Sequence, residues 1–215
     1  MSSHHFVIDG QEPALIVANG QSCSYELLVQ LLEWCPFVVA LDGAYNRLAE
    51  LQIKPDLVVG DFDSIDSSVI SDDVVFLQDK NQNNTDLQKA IDHLSTLGYS
   101  EINIVWATGK RLDHTINNLM TLAKYPKVKI TLYDNYSKAF VVQSPFKKTY
   151  RQGDPISLIP LPICSGIKTN NLKYPLSVGS LELGKKSGTS NEAKTSGEVK
   201  ITYESGLLAV IESKD

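Results

Sequence analysis

Two carboxylates, Asp61 and Asp63, follow directly after a short apolar run that ends in Gly60. The run 57–59 is bounded by Pro55 and Gly60, which is typical of a buried parallel strand. In an open α/β sheet, ligands bind beyond the carboxyl ends of the strands, where both aspartates would emerge. Two like charges this close repel each other, and a bound divalent cation relieves the repulsion. The pair therefore indicates a metal site, while a polar loop with one capping and one solvated aspartate is the plainer alternative.

The same pattern recurs at other predicted strand ends. Asp42 and Gly43 follow the second strand, and Thr85 and Asp86 open the helix after the fourth strand. No mirrored cluster lies at the opposite strand ends. Oxygen ligands without histidine or cysteine favour Mg²⁺ over zinc. Asp61, Asp63 and Asp86 are therefore candidate ligands for one or two Mg²⁺ ions that would face the phosphates of a nucleotide.

Arg111 and Asp113 lie at the start of the helix after the fifth strand. Arg111 would offer a fixed guanidinium to the charge that develops on a transferred phosphoryl or pyrophosphoryl group, beside the N–H groups of the helix that begins near Leu112. Asp113 either orients Arg111 or takes part at the ion, and a local surface ion pair is the alternative. The motifs GxxxxGK[ST] and GxGxxG are absent. Any nucleotide site must therefore depend on carboxylate-bound metal, with backbone turns at Gly43, Gly60 and Gly109.

Strands and helices alternate over the first two thirds of the chain. Apolar runs predict strands at 14–18, 37–41, 57–59, 74–77, 102–106 and 129–133, and helical spacing predicts helices at 25–34, 44–51, 85–97 and 112–124. The alternation predicts a mostly parallel, Rossmann-like α/β sheet with helices on both faces. In the last helix the apolar positions recur at helical spacing, so we expect that face to be core: Leu112, Ile116, Leu119, Met120 and Ala123.

From about residue 137 the helical pattern gives way to short β-type runs at 139–142, 156–159, 199–203 and 207–211. Gly, Pro, Ser and Asn separate these runs, which predicts a small antiparallel β domain. We place the domain boundary near residue 140, giving domains 1–140 and 141–215. The polar segment 184–197 is either a flexible hairpin loop or a substrate loop.

Composition narrows the class of protein. The net charge is −5 and no Lys/Arg cluster occurs among the 215 residues, which argues against a nucleic-acid partner. Three cysteines without a CxxC spacing indicate neither a disulfide framework nor a zinc knuckle, and they fit a reducing cytosol. The first residues lack the pattern of a signal peptide, and no segment approaches the roughly 20 apolar residues of a membrane helix. We expect a cytoplasmic protein.

Taken in order, several segments resemble the thiamin pyrophosphokinases. They are Asp-Gly-Ala-Tyr-Asn-Arg-Leu at 42–48, Pro-Asp-Leu-Val-Val-Gly-Asp-Phe-Asp-Ser-Ile at 55–65, Asn-Thr-Asp-Leu at 84–87, Gly-Lys-Arg-Leu-Asp-His at 109–114, Leu-Lys-Tyr-Pro-Leu at 172–176 and Gly-Thr-Ser-Asn-Glu at 188–192. Each motif is weak alone, but the ordered set spans about residues 14 to 211 and is specific.

The resemblance implies an α/β nucleotide domain followed by a β-sandwich domain, in a homodimer that binds thiamin between the sandwich of one subunit and the nucleotide domain of the other. It implies transfer of the terminal pyrophosphate of ATP to the thiamin hydroxyl, with release of AMP. The implied catalytic residues are Asp61, Asp63, Asp86 and Arg111, with the first three at Mg²⁺. The implied nucleotide contacts are Asp42, Gly43, Asn46, Thr85, Gly109 and Asp113. Tyr174 would stack on the thiamin ring, and Ser190 and Asn191 would bind its polar edge, which suits a cationic heterocycle and an aminopyrimidine.

Three positions depart from the family's usual residues. Tyr174 replaces a common tryptophan, Asn83 replaces a common acidic residue, and Asn171 replaces a common glycine. Asparagine tolerates a left-handed backbone, so the turn at 171 could be kept. Two other readings remain. One is a nucleotide-dependent transferase acting on another alcohol. The other is a catalytically silent binding protein, which would have lost some of the four implied catalytic residues, although all are present.

Overall fold

A computed structural model describes residues 12–63, 65, 73–78, 83–177 and 179–214. The first residues, considered above for a signal peptide, and residues 79–82 of the polar segment before the third helix lie outside this range. The chain forms two compact units. The first takes in the described residues up to Thr121 together with Lys127–Asn135, and the second consists of Leu122–Pro126 and the residues from Tyr136 onward. The division at residue 140 stays a prediction.

The first unit is an α/β layer structure. Its strands are β1 (Ala14–Val17), β2 (Phe37–Leu41), β3 (Leu57–Gly60), β4 (Val75–Gln78), β5 (Glu101–Val105) and β6 (Lys129–Tyr133), and its helices are α1 (Tyr25–Trp34), α2 (Asp42–Glu50), α3 (Asp86–Thr96) and α4 (Leu112–Thr121). The strands lie in the order β6-β5-β1-β2-β3-β4, and each neighbouring pair is parallel. The predicted parallel α/β fold is confirmed.

Both faces of this sheet are covered. Every residue of β1 is 0% exposed, although successive side chains of a strand point to opposite faces. On one face Leu15 and Val17 pack with Leu28 of α1 and Leu48 of α2. Helix α3 lies against β1, β2 and β3 and buries Ile91 among other apolar residues. This double burial explains why the strands read as continuous apolar runs.

Strand β1 lies between β5 and β2, so the strand order reverses at β1. The backbone just beyond β1 is tied to the backbone beyond β5, because the N–H groups of Ala18 and Gly20 donate to the carbonyls of Val105 (2.9 Å) and Trp106 (2.5 Å). Such a reversal opens a crevice outside the carboxyl ends of the strands. The fold therefore places its main binding crevice at the ends of β1 and β5.

The predicted core face of α4 is wrong for its first two turns. Leu112 is 72% exposed and Ile116 is 56% exposed, while Leu119 and Met120 are only half-buried. Apolar spacing identifies a stripe along a helix, but it does not say whether another element covers that stripe. The α-helix also ends at Thr121, and a 3-10 turn, Leu122–Lys124, follows.

The second unit is built from antiparallel strands, as predicted. They are β7 (Ser137–Val142), β8 (Phe146–Tyr150), β9 (Pro155–Ser165), β10 (Lys168–Asn170), β11 (Ser180–Glu182), β12 (Gly188–Glu192), β13 (Gly197–Thr202) and β14 (Ser205–Ser213). Within this unit, strands lie side by side in the order β11-β9-β14-β7, with β12 also on β9, and three more strands form a second sheet in the order β10-β13-β8. Leu158, Val210 and Ile201 belong to one shared core, so the two sheets form a sandwich.

Within 184–197, residues Gly188–Glu192 form a strand rather than a flexible loop. Among the described residues, none of the helices is both long enough and apolar enough to cross a membrane.

A largely buried carboxylate joins strands of both sheets in this unit. The side chain of Glu212 is 13% exposed and accepts hydrogen bonds from Lys148 Nζ (2.6 and 2.8 Å) and from the hydroxyl of Tyr150 (2.6 Å), while Lys138 Nζ lies 3.0 Å away. Burial opposes ionisation of Glu212, but these donors outweigh it and hold the pKa of Glu212 below its usual value. Burial and the neighbouring Glu212 raise the pKa of Tyr150.

We expect Glu212→Gln to lower the free energy of unfolding at pH 7 by about 1–3 kcal/mol, because the amide keeps the shape but loses charge-assisted hydrogen bonds. Since the folded pKa is depressed, the carboxylate stabilises the fold above its unfolded pKa and loses this contribution as the pH falls through the folded pKa. Urea denaturation should therefore show a difference between wild type and variant that shrinks below about pH 4.5. Glu198→Gln is the control, since Glu198 and Lys147 form an exposed pair at 3.7 Å. If the difference in unfolding free energy between wild type and Glu212→Gln were the same at pH 7 as below about pH 4.5, this account would be contradicted.

Candidate active site

A cavity of about 1000 Å³ opens in the first unit at the carboxyl ends of its strands. Most of the predicted first-unit site residues line it: Asp42, Gly43, Asp61, Asp63, Thr85, Asp86, Arg111 and Asp113. Asn46, half-buried in α2, and Gly109 are not among the described lining residues. Asn83 also lines the cavity, so the position with the missing acidic charge does face the candidate site. The structure thus brings strand ends far apart in sequence to one place.

Three carboxylates converge within this cavity. One oxygen atom from each of Asp42, Asp61 and Asp63 lies within 4.8 Å of the other two. Asp42 is 5% exposed, and the N–H of Asp63 donates to Asp61 Oδ1 at 3.5 Å, which is the main reason that the pKa of Asp61 lies below its usual value. An all-oxygen donor set of this kind fits Mg²⁺. The predicted metal group contained Asp86, which lies in the same cavity but is not one of these three.

Two glycines lie next to Asp42, and one of them, Gly60, packs directly against its side chain. Helix α2 begins at Asp42, two residues earlier than predicted, so Gly43 lies in a helix and Gly60 ends β3. The predicted turns at Gly43 and Gly60 are therefore wrong. A Cβ on Gly60 would lie 2.5 Å from the Cβ of Asp42, and a Cβ on Gly43 would overlap the side-chain amide of Asn19. Gly60 therefore allows β3 to approach Asp42 closely, and Gly43 leaves room for the side chain of Asn19. Gly109 occupies the predicted turn with φ +72°.

Asp86 stands at the first position of α3. Thr85 caps this helix, because its hydroxyl accepts the N–H of Gln88 at 3.4 Å. The carboxylate of Asp86 accepts a hydrogen bond from Lys89 Nζ at 3.0 Å, and the Lys89 side chain is only 6% exposed. Sequence reasoning missed Lys89, although its i,i+3 spacing from Asp86 predicts a pair on one helix face. The predicted metal role of Asp86 stays a prediction.

Arg111 and Asp113 form a two-point pair at the cavity edge. Arg111 Nε donates to Asp113 Oδ1 at 3.1 Å, and Nη2 donates to Oδ2. The guanidinium lowers the pKa of Asp113 to about 2, although the two side chains are 70% and 62% exposed. This geometry fits an aspartate that orients an arginine and also fits the local surface ion pair, the two alternatives for the pair itself that the sequence left open. Because the pair is exposed, it contributes little to the stability of the fold, and its main effect is to fix the orientation of the Arg111 guanidinium.

The turn after β1 also lines the cavity, through Asn19 and Gly20. Arg47 of α2 supports this turn, since its Nη1 donates to the carbonyl of Gly20 at 2.8 Å and its guanidinium lies 4.2 Å from the centre of the Trp106 ring. From the other side, Lys110 Nζ donates to the carbonyl of Asn19 at 3.3 Å. Sequence reasoning did not include Asn19 and Gly20 in the candidate site. The reversal of strand order at β1 is the signal that identifies this turn as part of the crevice, but the reversal can be recognised only once the strand order is known.

In the second unit, Asn191 holds the segment that carries Tyr174. Tyr174 is 59% exposed, whereas Asn191 is 4% exposed. The amide oxygen of Asn191 accepts the N–H of Tyr174 at 3.0 Å, and its amide nitrogen donates to the carbonyl of Tyr174 at 2.8 Å. The neighbouring Ser190 is exposed, and its N–H donates to Ser157 Oγ at 3.0 Å. Asn171 has φ +62°, which confirms that asparagine keeps a left-handed turn there. The structure thus brings Tyr174 and Asn191 into contact, with Ser190 next to Asn191 in the same strand.

Comparisons with known proteins agree with both units. Residues 28–133 match the family model "Thiamin pyrophosphokinase, catalytic domain", and residues 145–208 match "Thiamin pyrophosphokinase, vitamin B1 binding domain". Thiamine pyrophosphokinase 2 of Arabidopsis thaliana is 34% identical over 232 residues, covering 91% of this chain and 84% of that protein. Thiamin pyrophosphokinase 1 of Caenorhabditis elegans is 26% identical, covering 81% of this chain and 78% of that protein.

Solved structures with a similar fold come from the same family of proteins. The crystal structure of thiamine pyrophosphokinase from Bacillus subtilis superimposes with a TM-score of 0.79 at 26% identity, covering 95% of this chain and 100% of that chain. The resemblance found in the sequence motifs is confirmed by the match of two consecutive family models. Together with a relative that is 34% identical along most of its length, these matches show that the chain belongs to the thiamin pyrophosphokinase family.

Proposed function

We propose that this chain transfers the terminal pyrophosphate of ATP to the hydroxyl of thiamin, giving thiamin diphosphate and AMP, with Mg²⁺ as its cofactor. The observation that carries the proposal is one cavity that collects the carboxylates Asp42, Asp61 and Asp63 together with Arg111 at the carboxyl ends of a parallel sheet. Pyrophosphoryl transfer needs groups that bind metal and groups that neutralise developing negative charge. The cavity contains both kinds.

The carboxylates that would hold Mg²⁺ are Asp61 and Asp63, as predicted, joined by Asp42. Their oxygen atoms already lie within 4.8 Å of one another, and the donor set contains no nitrogen or sulfur. When bound, the ion supplies positive charge to the phosphate oxygens of the nucleotide. Asp86 remains a candidate ligand, although its carboxylate is paired with Lys89.

The reaction we propose is a direct displacement at the β-phosphorus of ATP. A bond forms between the hydroxyl oxygen of thiamin and the β-phosphorus, while the bond from that phosphorus to the oxygen shared with the α-phosphate breaks and AMP leaves. Arg111, oriented by Asp113, would stabilise charge on the transferred group. The proton of the hydroxyl passes to a base, for which Asp63 and Asp86 are the candidates; both line the cavity.

We assign nucleotide binding and catalysis to residues 1–140 and thiamin binding to residues 141–215. In the second region the exposed ring of Tyr174 offers an aromatic face to a cationic heterocycle, and Ser190 offers an exposed hydroxyl to its polar edge. Asn191 would serve mainly by holding the backbone of Tyr174, because both ends of its amide are engaged there.

Tyr174→Ala should raise the KM for thiamin by roughly 5-fold to 30-fold and leave the KM for ATP nearly unchanged, because stacking of a cationic ring on an aromatic face is worth about 1–2 kcal/mol. Steady-state kinetics with each substrate varied in turn measures both constants. Tyr174→Phe, which keeps the ring, is the matched control and should behave like wild type. Equal rises in both KM values would contradict a specific contact between Tyr174 and thiamin.

We further propose a cytoplasmic homodimer with active sites at the subunit interface. The exposed apolar side chains of Leu112 and Ile116 on α4 support a second copy on this helix, since large uncovered apolar groups next to a site commonly mark an interface. The three cysteines are free thiols, which suits a reducing compartment. Sedimentation analysis of the purified chain tests the dimer.

The acceptor is tested by measuring AMP release from Mg·ATP with thiamin and, in parallel, with other alcohols of similar size, including the separate hydroxyethylthiazole half of thiamin. Thiamin should exceed the other acceptors in kcat/KM by at least about 10-fold, because only the intact molecule can use both the ring face and the polar edge. A different alcohol that reacts faster than thiamin would move the chain to the alternative of a transferase with another acceptor.

A further inference from the structure

Lys110 differs from the other cations of the cavity in the partner that it contacts. Among the described residues that line the cavity, the lysines and arginine are Lys89, Lys110 and Arg111. Lys89 lies 3.0 Å from the carboxylate of Asp86, and Arg111 is held by Asp113 at two points. Lys110 Nζ instead donates to an uncharged group, the carbonyl of Asn19, at 3.3 Å. Its positive charge is therefore still available to an anionic ligand.

The backbone of Lys110 is held in an unfavourable conformation. Its φ is +51°, in the left-handed region where a side chain is strained and glycine is not. The preceding residue, Gly109, also has a positive φ. Strain of this kind persists where the surrounding structure or a function maintains it. At this position the strained backbone carries an ammonium group to the cavity wall.

The electrostatic surroundings of Lys110 also suit an anion. Loss of water, followed by the positive charge of Arg47, lowers the pKa of Lys110, so its ammonium gains from a nearby negative charge. The carbonyl that Lys110 contacts belongs to the turn after β1, where the strand order reverses. A ligand in the crevice at this reversal would come within reach of Lys110.

We propose that Lys110 binds the phosphate chain of the donor nucleotide. The inference deepens the proposed function and rests on it for the identity of the donor. The other lysine and the arginine that line the cavity are paired with aspartates, whereas Lys110 offers a positive charge without a carboxylate partner. Lys110 lies in the turn that joins β5 to α4. No part of this role was apparent from the spacing of the aspartates.

The test compares two variants of Lys110. Lys110→Met removes the charge and keeps the strained backbone, and Lys110→Gly removes both the charge and the strain. Binding of the Mg²⁺ complex of α,β-methylene-ATP, measured by titration calorimetry without thiamin, should weaken by about 10-fold to 100-fold in both variants, as expected for one charge-assisted hydrogen bond. Lys110→Gly should nevertheless unfold at an equal or higher urea concentration than wild type.

Two control variants match the two changes. Gln52 has φ +58° outside the cavity, so Gln52→Gly relieves a similar strain and should leave nucleotide binding unchanged. Lys127 is exposed in the same unit and does not line the cavity, so Lys127→Met removes an equal charge and should also bind like wild type. Wild-type affinity in both Lys110 variants, an equal loss in Lys127→Met, or no binding of the analogue by wild type would overturn the assignment. Wild-type protein that binds the analogue but gives no thiamin-dependent AMP would defeat the proposed function alone.

Discussion

Asp61→Asn is expected to lower kcat by about 1000-fold or more, equivalent to about 4 kcal/mol of transition-state stabilisation, with little change in folding stability. Asp61 shares the three-carboxylate cluster with Asp42 and Asp63, and an amide cannot replace a charged oxygen ligand in such a set. Its side chain lies at the cavity surface, so the substitution leaves the core intact.

The measurement is turnover as a function of Mg²⁺ concentration, together with urea denaturation of the same protein. The variant should need a higher Mg²⁺ concentration for half-maximal rate, as well as being slower at saturation. Asp92→Asn on α3 is the matched control, because Asp92 lies outside the described lining of the cavity. Near-wild-type turnover with an unchanged Mg²⁺ requirement would remove Asp61 from the metal site.

Asp86→Asn is expected to lower kcat by about 100-fold or more, since this carboxylate lines the same cavity and is a candidate both for the metal and for the proton of the acceptor. The substitution also changes a structural contact, because Asp86 accepts a hydrogen bond from the buried Lys89 at 3.0 Å. Removing one partner of such a pair leaves a buried charge with less compensation.

The double variant Asp86→Asn/Lys89→Met separates these effects. It removes both charges, so it should recover any stability lost by Asp86→Asn while turnover stays low. Urea denaturation and steady-state kinetics of the single and double variants give the two readings. Recovery of turnover in the double variant would show that Asp86 acts only by pairing with Lys89.

Local patterns predicted the parts of the fold that depend on neighbouring residues in the chain. Helix α1 and strand β2 have the bounds that their apolar spacing predicts, since each is a single run ended by a clear change of pattern. The cap at Thr85 and the turn at Asn171 follow from the chemistry of single residues. The polar strands β10 and β11 have no such pattern, because pairing with β13 and β9 defines them.

The candidate site was predictable only in part, for a related reason. The strand ends identified Asp61, Asp63 and Asp42 as residues of one crevice, but the spacing did not show that Asp42 joins the other two as closely as it does. That contact depends on Gly60 packing against Asp42 across two strands. The prediction that this face of α4 is core was wrong for the same reason, since the amphipathic spacing of Leu112 and Ile116 does not specify what covers them.

The most direct test of the central claim identifies the nucleotide released when the protein is incubated with Mg·ATP and thiamin. The proposed function predicts AMP and thiamin diphosphate in equal amounts, formed only when thiamin is present. ADP with a thiamin monophosphate product would keep a phosphate-transfer site but contradict transfer of a pyrophosphoryl group.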